Sequence, residues 1–283
     1  MRARVPSSSA NLGAGFDTLG LALSRSTDVS IEPSDRLGGS TTGEGSQFPI
    51  DEHHLAVRIV RDILGHDRVT ITIASDIPVS RGLGSSAALT VAVAAACGHS
   101  DPLSYAAMLE GHADNAAAAV LGGFVTATIS DGRVWARRLP LDPELLFVAV
   151  IPDRHLNTSE AREVLPSHVP VADAVANLGA MGLMVAGLAD HRALLAHAAD
   201  DRLHQPYRTA LFPESTGLLK AMIGAGALAA FWSGAGPTLL GVCHRSIAHE
   251  VRDAATESLA AFSVAGSAEI VEADTVGLVV SDC

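Results

Sequence analysis

The eleven residues Pro78-Val79-Ser80-Arg81-Gly82-Leu83-Gly84-Ser85-Ser86-Ala87-Ala88 constrain this chain more than any other stretch. A β-branched run, Val69–Ile73, leads into them and an alanine-rich run leads out. The order predicted is therefore strand, tight loop, helix. Two glycines let the backbone take positive φ and approach a partner closely, because no Cβ stands in the way. Ser85 and Ser86 open the helix, where unpaired N–H groups and the positive end of the dipole favour an anion. Taken alone, the segment reads equally as a structural turn or as a phosphate cradle.

Bulk properties narrow the choice. A chain of 283 residues can form two medium domains or one large one. With 48% hydrophobic and 18% charged residues it has enough apolar side chains for well-packed cores. No run of eighteen apolar residues is free of glycine, proline and charge, so no membrane span is expected. Met1–Pro6 lacks the apolar stretch of a secretion signal. Cys97, Cys243 and Cys283 are scattered, which suggests neither a disulfide framework nor a zinc site. A cytoplasmic protein is expected. A net charge of −12 argues against nucleic acid and anionic membranes as partners. Lys220 is the only lysine and follows no glycine loop, which excludes a P-loop of the GxxxxGK[ST] kind.

Along the chain, strands are expected at Arg2–Val5, Leu19–Leu23, Val29–Ile31, Val69–Ile73, Phe124–Ile129 and Val134–Leu139. Asp131-Gly132 marks a hairpin between the last two. Helices are expected at Leu55–Leu64, Ser85–Cys97 and Leu103–Leu121, the last broken near Gly111. Pro140–Pro143 reads as a boundary. Beyond it the order is strand (Leu146–Ile151), long helix (Val171–Ala199), strand (Leu228–Trp232), strand (Thr238–Cys243), helix (Ile247–Phe262) and strands near Ile270 and Val276–Val280. That is a ferredoxin-like succession. Two α+β domains meeting at a cleft are expected, residues 1–142 and 143–283.

Several other clusters carry chemistry. Gly82–Ala87 also fits the dinucleotide fingerprint GxGxxG/A, but the nearest acid, Asp101, lies in a turn between helices rather than at a strand end. Val5–Asp17 packs small residues, Asn11 and Asp17 into one loop. Asn11 both donates and accepts and Asp17 accepts only, which suits a ligand with an ammonium and a hydroxyl; satisfied turn amides are the other reading. Glu110 stands in an apolar stretch, as a hard ligand for Mg²⁺ or as a cap for the next helix, and His112 reads as a packing residue. Arg162 and Arg208 could each grip a carboxylate or phosphate, or pair at the surface. Phe231–Thr238 is a glycine turn, either a hairpin or a second wall for the phosphates.

These segments together resemble the GHMP small-molecule kinases, and among them the homoserine kinases. The pattern Pro-x3-Gly-Leu-Gly-Ser-Ser-Ala runs from Pro78 to Ala87 and Ser-Gly-Ala-Gly-Pro-Thr from Ser233 to Thr238. Pro6–Asp17, Glu110–Asn115, Thr158–Arg162 and Arg202–Arg208 follow the homoserine-kinase subgroup. The resemblance spans residues 5–240. It implies a ribosomal-protein-S5-like domain followed by a ferredoxin-like domain. It also implies ATP-dependent phosphorylation of the L-homoserine hydroxyl, with ATP and Mg²⁺.

By position, Pro78, Arg81, Gly82, Leu83, Gly84, Ser85, Ser86 and Ala87 would surround ATP. Ser233, Gly234, Ala235 and Gly236 form the third motif. Ser85 or Ser86, with Glu110, would hold Mg²⁺. Asn11, Asp17, Asn115, Arg162 and Arg208 would hold the amino acid, with Thr158 beside the reacting end. Asn115 stands where many relatives in the superfamily carry an aspartate, so no dedicated carboxylate base is expected. Ala14 and Ala118 replace common prolines, and His54 stands near the adenine position. Homodimerisation stays open. The rival readings are another GHMP kinase for a small alcohol, a silent ligand-sensing relative and an NAD-binding oxidoreductase.

Overall fold

The computed structural model describes residues 1–282; Cys283 lies outside them. The strands in chain order are β1 (Arg2–Ala10), β2 (Leu19–Pro33), β3 (Gly38–Gly43), β4 (Val69–Ser75), β5 (Phe124–Ser130), β6 (Arg133–Leu139), β7 (Leu145–Pro152), β8 (Ala229–Trp232), β9 (Leu239–His244), β10 (Gly266–Val271) and β11 (Val279–Ser281). The helices are α1 (Leu55–Leu64), α2 (Ser85–Ala96), α3 (Pro102–Glu110), α4 (Asp114–Leu121), α5 (Thr158–Glu163), α6 (Val171–Ala189), α7 (Gln205–Arg208), α8 (Ser215–Gly224) and α9 (Ala248–Ala261).

Seven strands form the first sheet, in the order β11-β1-β2-β4-β3 with β5 and β6 branching from β2. The two strands expected in Leu19–Ile31 are one long strand, which bends where its register with β1 shifts at Pro6/Ser7. Asp131 and Gly132 both take positive φ, as the expected hairpin requires. β3 was not legible because Gly38–Gly43 holds no apolar residue; it is an edge strand held by parallel pairing to β4. α2 has no amphipathic face. Its alanines and valines are buried on every side, and small side chains let the helix lie close to both β1 and β2.

The second sheet runs β10-β7-β9-β8, all antiparallel, with α9 against it. This is the expected ferredoxin-like order, and the fold is a two-unit α+β architecture. Two expectations differ. The chain does not end in the second unit, since β11 returns to pair with β1. The long helix stops at Ala189, where Asp190 turns extended and caps a 3₁₀ turn through Arg192 N. By length and composition α6 is long and apolar enough to cross a membrane, although glycines and Asp173 interrupt it. Its polar groups are bonded within the protein, Asp173 to Arg202 and Asn177 to Asp201. Cys97 and Cys243 are unpaired, and burial pushes both thiols up to about 11.

Candidate active site

Three loops converge between the sheets. The first, between β4 and α2, takes positive φ at Ser80, Gly82 and Gly84. A Cβ on Gly82 would run into the Ser233 carbonyl and lie 2.8 Å from that of Gly236. A Cβ on Gly84 would run into the Ser8 hydroxyl. Glycine is therefore needed at both positions for space as well as for φ. Leu83, buried, accepts a hydrogen bond from Ser8 N at 3.0 Å, which fixes the loop to β1.

The second loop, Asn11–Asp17, stores strain: Asn11, Leu12 and Asp17 all have positive φ, each costing about 1–3 kcal/mol. The Asn11 amide holds this shape, its Oδ1 accepting from Asp17 N at 3.0 Å and its Nδ2 donating to Gly234 O at 2.9 Å. Both ends of Asn11 are thus committed to backbone.

The third loop, Ser233–Gly236, ties the other two together. The Ser233 hydroxyl donates to Gly82 O at 2.7 Å and shares a hydrogen bond with Ser9, while Gly234 N donates to Ala10 O.

Two cavities share the α2 N-terminus as a wall, Ser85 and Ser86 lining both. One, of about 330 Å³, is walled by Gly82, Gly84, Ser85, Ser86, Ala87, Glu110, Asn115, Thr158 and Gly234–Gly236. The other, about 420 Å³ and more apolar, continues past Ser85 and Ser86 to Phe48, His54, Leu55, Ile73 and Leu89. Glu110 ends α3 through the left-handed cap Gly111. Burial raises its carboxyl above the ordinary range, against the pull of His112 and the Ser86 hydroxyl. A half-buried carboxylate bonded to the Ser86 hydroxyl, with Ser85 in the same cavity wall, is a set of hard oxygen donors and fits Mg²⁺.

Pro78, Arg81 and Leu83 are not in the cavity walls. Arg81 instead donates to the Arg154 carbonyl at 2.9 Å.

Beside the first cavity, Arg162 grips Asp17 with two hydrogen bonds, at 3.1 and 2.7 Å. Arg208 is buried and donates from Nε to Ala161 O and from Nη1 to Gly234 O. The Phe16 ring lies under both guanidinium groups, 5.5 and 5.6 Å away. Asn115 receives the Ser8 hydroxyl on Oδ1 at 2.9 Å.

His112 and Asp114 were missed as site residues. His112 lines the first cavity, and Asp17, His112 and Asp114 bring ligand atoms within 4.8 Å of one another. Burial alone would lower the His112 pKa, but Asp114, 2.7 Å from Nδ1, raises it, helped by Glu110 and Asp17. Asn157, which caps α5, also lines the cavity. Only the density of polar groups in Glu110–Asn115 signalled the first two.

Known proteins resemble this chain throughout. Residues 53–123 match the GHMP kinases N-terminal domain and residues 183–261 the GHMP kinases C-terminal domain. A homoserine kinase of Streptomyces coelicolor is 41% identical over 269 residues, 89% of this chain and 87% of that protein. One of Desulfitobacterium hafniense is 35% identical, covering 99% of each chain. Among solved structures, a homoserine kinase from Cytophaga hutchinsonii superposes with a TM-score of 0.84 at 28% identity, over 99% of this chain and 96% of that one. In fold alone, L. major mevalonate kinase gives a TM-score of 0.67 at 17% identity, over 98% of this chain and 97% of that one.

Proposed function

The chain belongs to the GHMP kinases and stands among their homoserine kinases; from that premise we propose that the cleft between its two sheets is the active site. The enzyme transfers the γ-phosphoryl group of ATP to the side-chain hydroxyl of L-homoserine, a step of threonine biosynthesis.

The observation carrying the site assignment is the Asp17–Arg162 pair with buried Arg208, set against a cradle of loop and helix N-terminus. Paired opposite charges complement a zwitterion. Asp17 accepts the substrate ammonium, and Arg208 with Arg162 takes the carboxylate. The backbone N–H groups from Gly82 to Ala87 hold the phosphates. The apolar cavity by His54 and Phe48 takes the base. Glu110 with Ser85 or Ser86 holds Mg²⁺, which supplies charge neutralisation on the phosphates when bound.

Ser8 donating to Asn115 Oδ1 takes up the amide's acceptor and leaves its NH₂ as the group for a ligand in the cavity that Asn115 lines. Asn115 therefore donates and does not remove the hydroxyl proton. Asp114 Oδ1 is already shared between His112 and Asn115 N. The residues accordingly act by positioning and charge stabilisation, the demands of a loose phosphoryl-transfer transition state, and the proton leaves on the phosphate or to water. Thr158, at the start of α5, sits beside the acceptor end.

Replacing Asp17 by Asn tests the amino-acid side of the cleft. The KM for homoserine should rise by about a hundredfold, as expected when a charged partner is left unpaired, with the KM for ATP unchanged. A change in the KM for ATP alone would contradict the assignment.

A further inference from the structure

We propose that His204 is a positioning residue, holding Arg208 and the Asn11–Asp17 loop in one geometry so that Arg208 meets the substrate carboxylate. This rests on the reading of Arg208 given above.

The imidazole is fully buried and bonded at both nitrogens. Its Nδ1 accepts from Arg208 Nη1 at 3.0 Å and its Nε2–H donates to the Gly13 carbonyl at 2.8 Å. Only the neutral Nε2–H tautomer makes both bonds, because an imidazolium would set an N–H against a guanidinium N–H. Burial lowers the His204 pKa to about 4, so this tautomer is the working form. The ring also stacks on Phe16, centroids 5.2 Å apart and 24° between planes, and the other face of the same loop packs Gly13 against Ala199.

The rest of the network leaves little slack. Asp201 accepts the backbone N–H groups of Leu203, His204 and Gln205, and so fixes the start of α7. Asn177, also buried, donates to Ala14 O and Asp201. With Nε and Nη1 of Arg208 spent on Ala161, Gly234 and His204, Nη2 is the nitrogen for a ligand. Its direction is set by the partners of the other two, and His204 is the one side chain among them, tying Arg208 to Gly13 of the substrate loop as Gly234 O ties it to Asn11.

His204→Phe keeps the stacking on Phe16 and removes both hydrogen bonds; His204→Gln keeps a donor and an acceptor. Steady-state kinetics should show the KM for L-homoserine raised at least about tenfold in His204→Phe, one hydrogen bond to a charged group being worth that much. Its kcat and KM for ATP should stay near wild type, and His204→Gln should recover most of the loss. The discriminating substrate is 3-amino-1-propanol, which is homoserine without its carboxylate. Its kcat/KM should fall clearly less in His204→Phe than that of L-homoserine, because the part of the loss that runs through Arg208 needs a carboxylate. An equal loss on both substrates would mean a structural role and overturn the proposal, as would an unchanged homoserine KM in His204→Phe. If His204→Phe does not fold, His204→Gln and His204→Asn carry the same comparison. Arg208→Lys separates the two levels of inference. If it leaves the homoserine KM unchanged, the carboxylate reading falls; if it raises that KM while His204→Phe does not, the His204 proposal alone falls.

Discussion

At the scale of single residues, the site is built from side chains whose hydrogen bonds leave one atom each for a ligand. Asn115 has Oδ1 taken by Ser8, Arg208 has Nε and Nη1 taken by main chain and His204, and His112 has Nδ1 taken by Asp114. Asp114, the carboxylate next to Asn115, has its Oδ1 shared by His112 and Asn115 N, and the account gives it no role as base. Asp114→Asn should keep kcat within about tenfold of wild type, whereas loss of a true general base costs about 10²–10⁴. A drop of that size with an unchanged KM for homoserine would contradict this part of the mechanism. The residues expected from sequence were found at the cleft where they belonged to a local motif, such as Ser85, Ser86 and Glu110. For Arg81 the sequence offers a guanidinium next to a phosphate loop, and no local pattern shows that its Nε donates to a carbonyl 73 positions away.

At the scale of elements, the phosphate loop works because three segments meet with no room to spare. Gly82→Ala would force a Cβ against the Ser233 main chain at φ +77°. Strain at such a position is about 1–3 kcal/mol, so ATP binding should weaken roughly tenfold or more, with homoserine binding affected less. Equilibrium titration with ATP checks this, and an unchanged affinity would show that the third motif is not a wall of the cradle. The strand–loop–helix around Gly82 was legible because glycine, serine and an apolar helix each declare their own backbone. β3 and α8 were not: one carries no apolar residue, and the other owes its stability to Leu218 and Met222 packing in the second core. Propensity gives no sign of either. The long contacts that make the site, Ser8 to Asn115 across 107 positions and His204 to Gly13 across 191, leave no local pattern at all.

At the scale of the molecule, the two sheets are tied by the same groups that form the site and by the Arg25–Glu269 pair joining β2 to β10. Coupling of this kind links acid stability to the cleft. With its pKa lowered from 6.5 to about 4, folded His204 refuses a proton that the unfolded chain accepts. Its contribution is complete above pH 6.5 and is lost as the pH falls through that window. The melting temperature of wild type should therefore exceed that of His204→Gln most at pH 7.5, with the gap narrowing towards pH 5. A gap independent of pH would contradict the neutral, buried state of this ring.

The central claim is that one cleft brings ATP to the hydroxyl of an amino acid. It is tested most directly by ADP release from ATP and Mg²⁺ with L-homoserine, L-threonine, L-serine, mevalonate and a panel of sugars as acceptors, the phosphorylated product being identified. Turnover with L-homoserine far above every other acceptor, yielding O-phospho-L-homoserine, is the expected result. Preferred phosphorylation of mevalonate or a sugar, or ATP binding with no turnover on any acceptor, would contradict it.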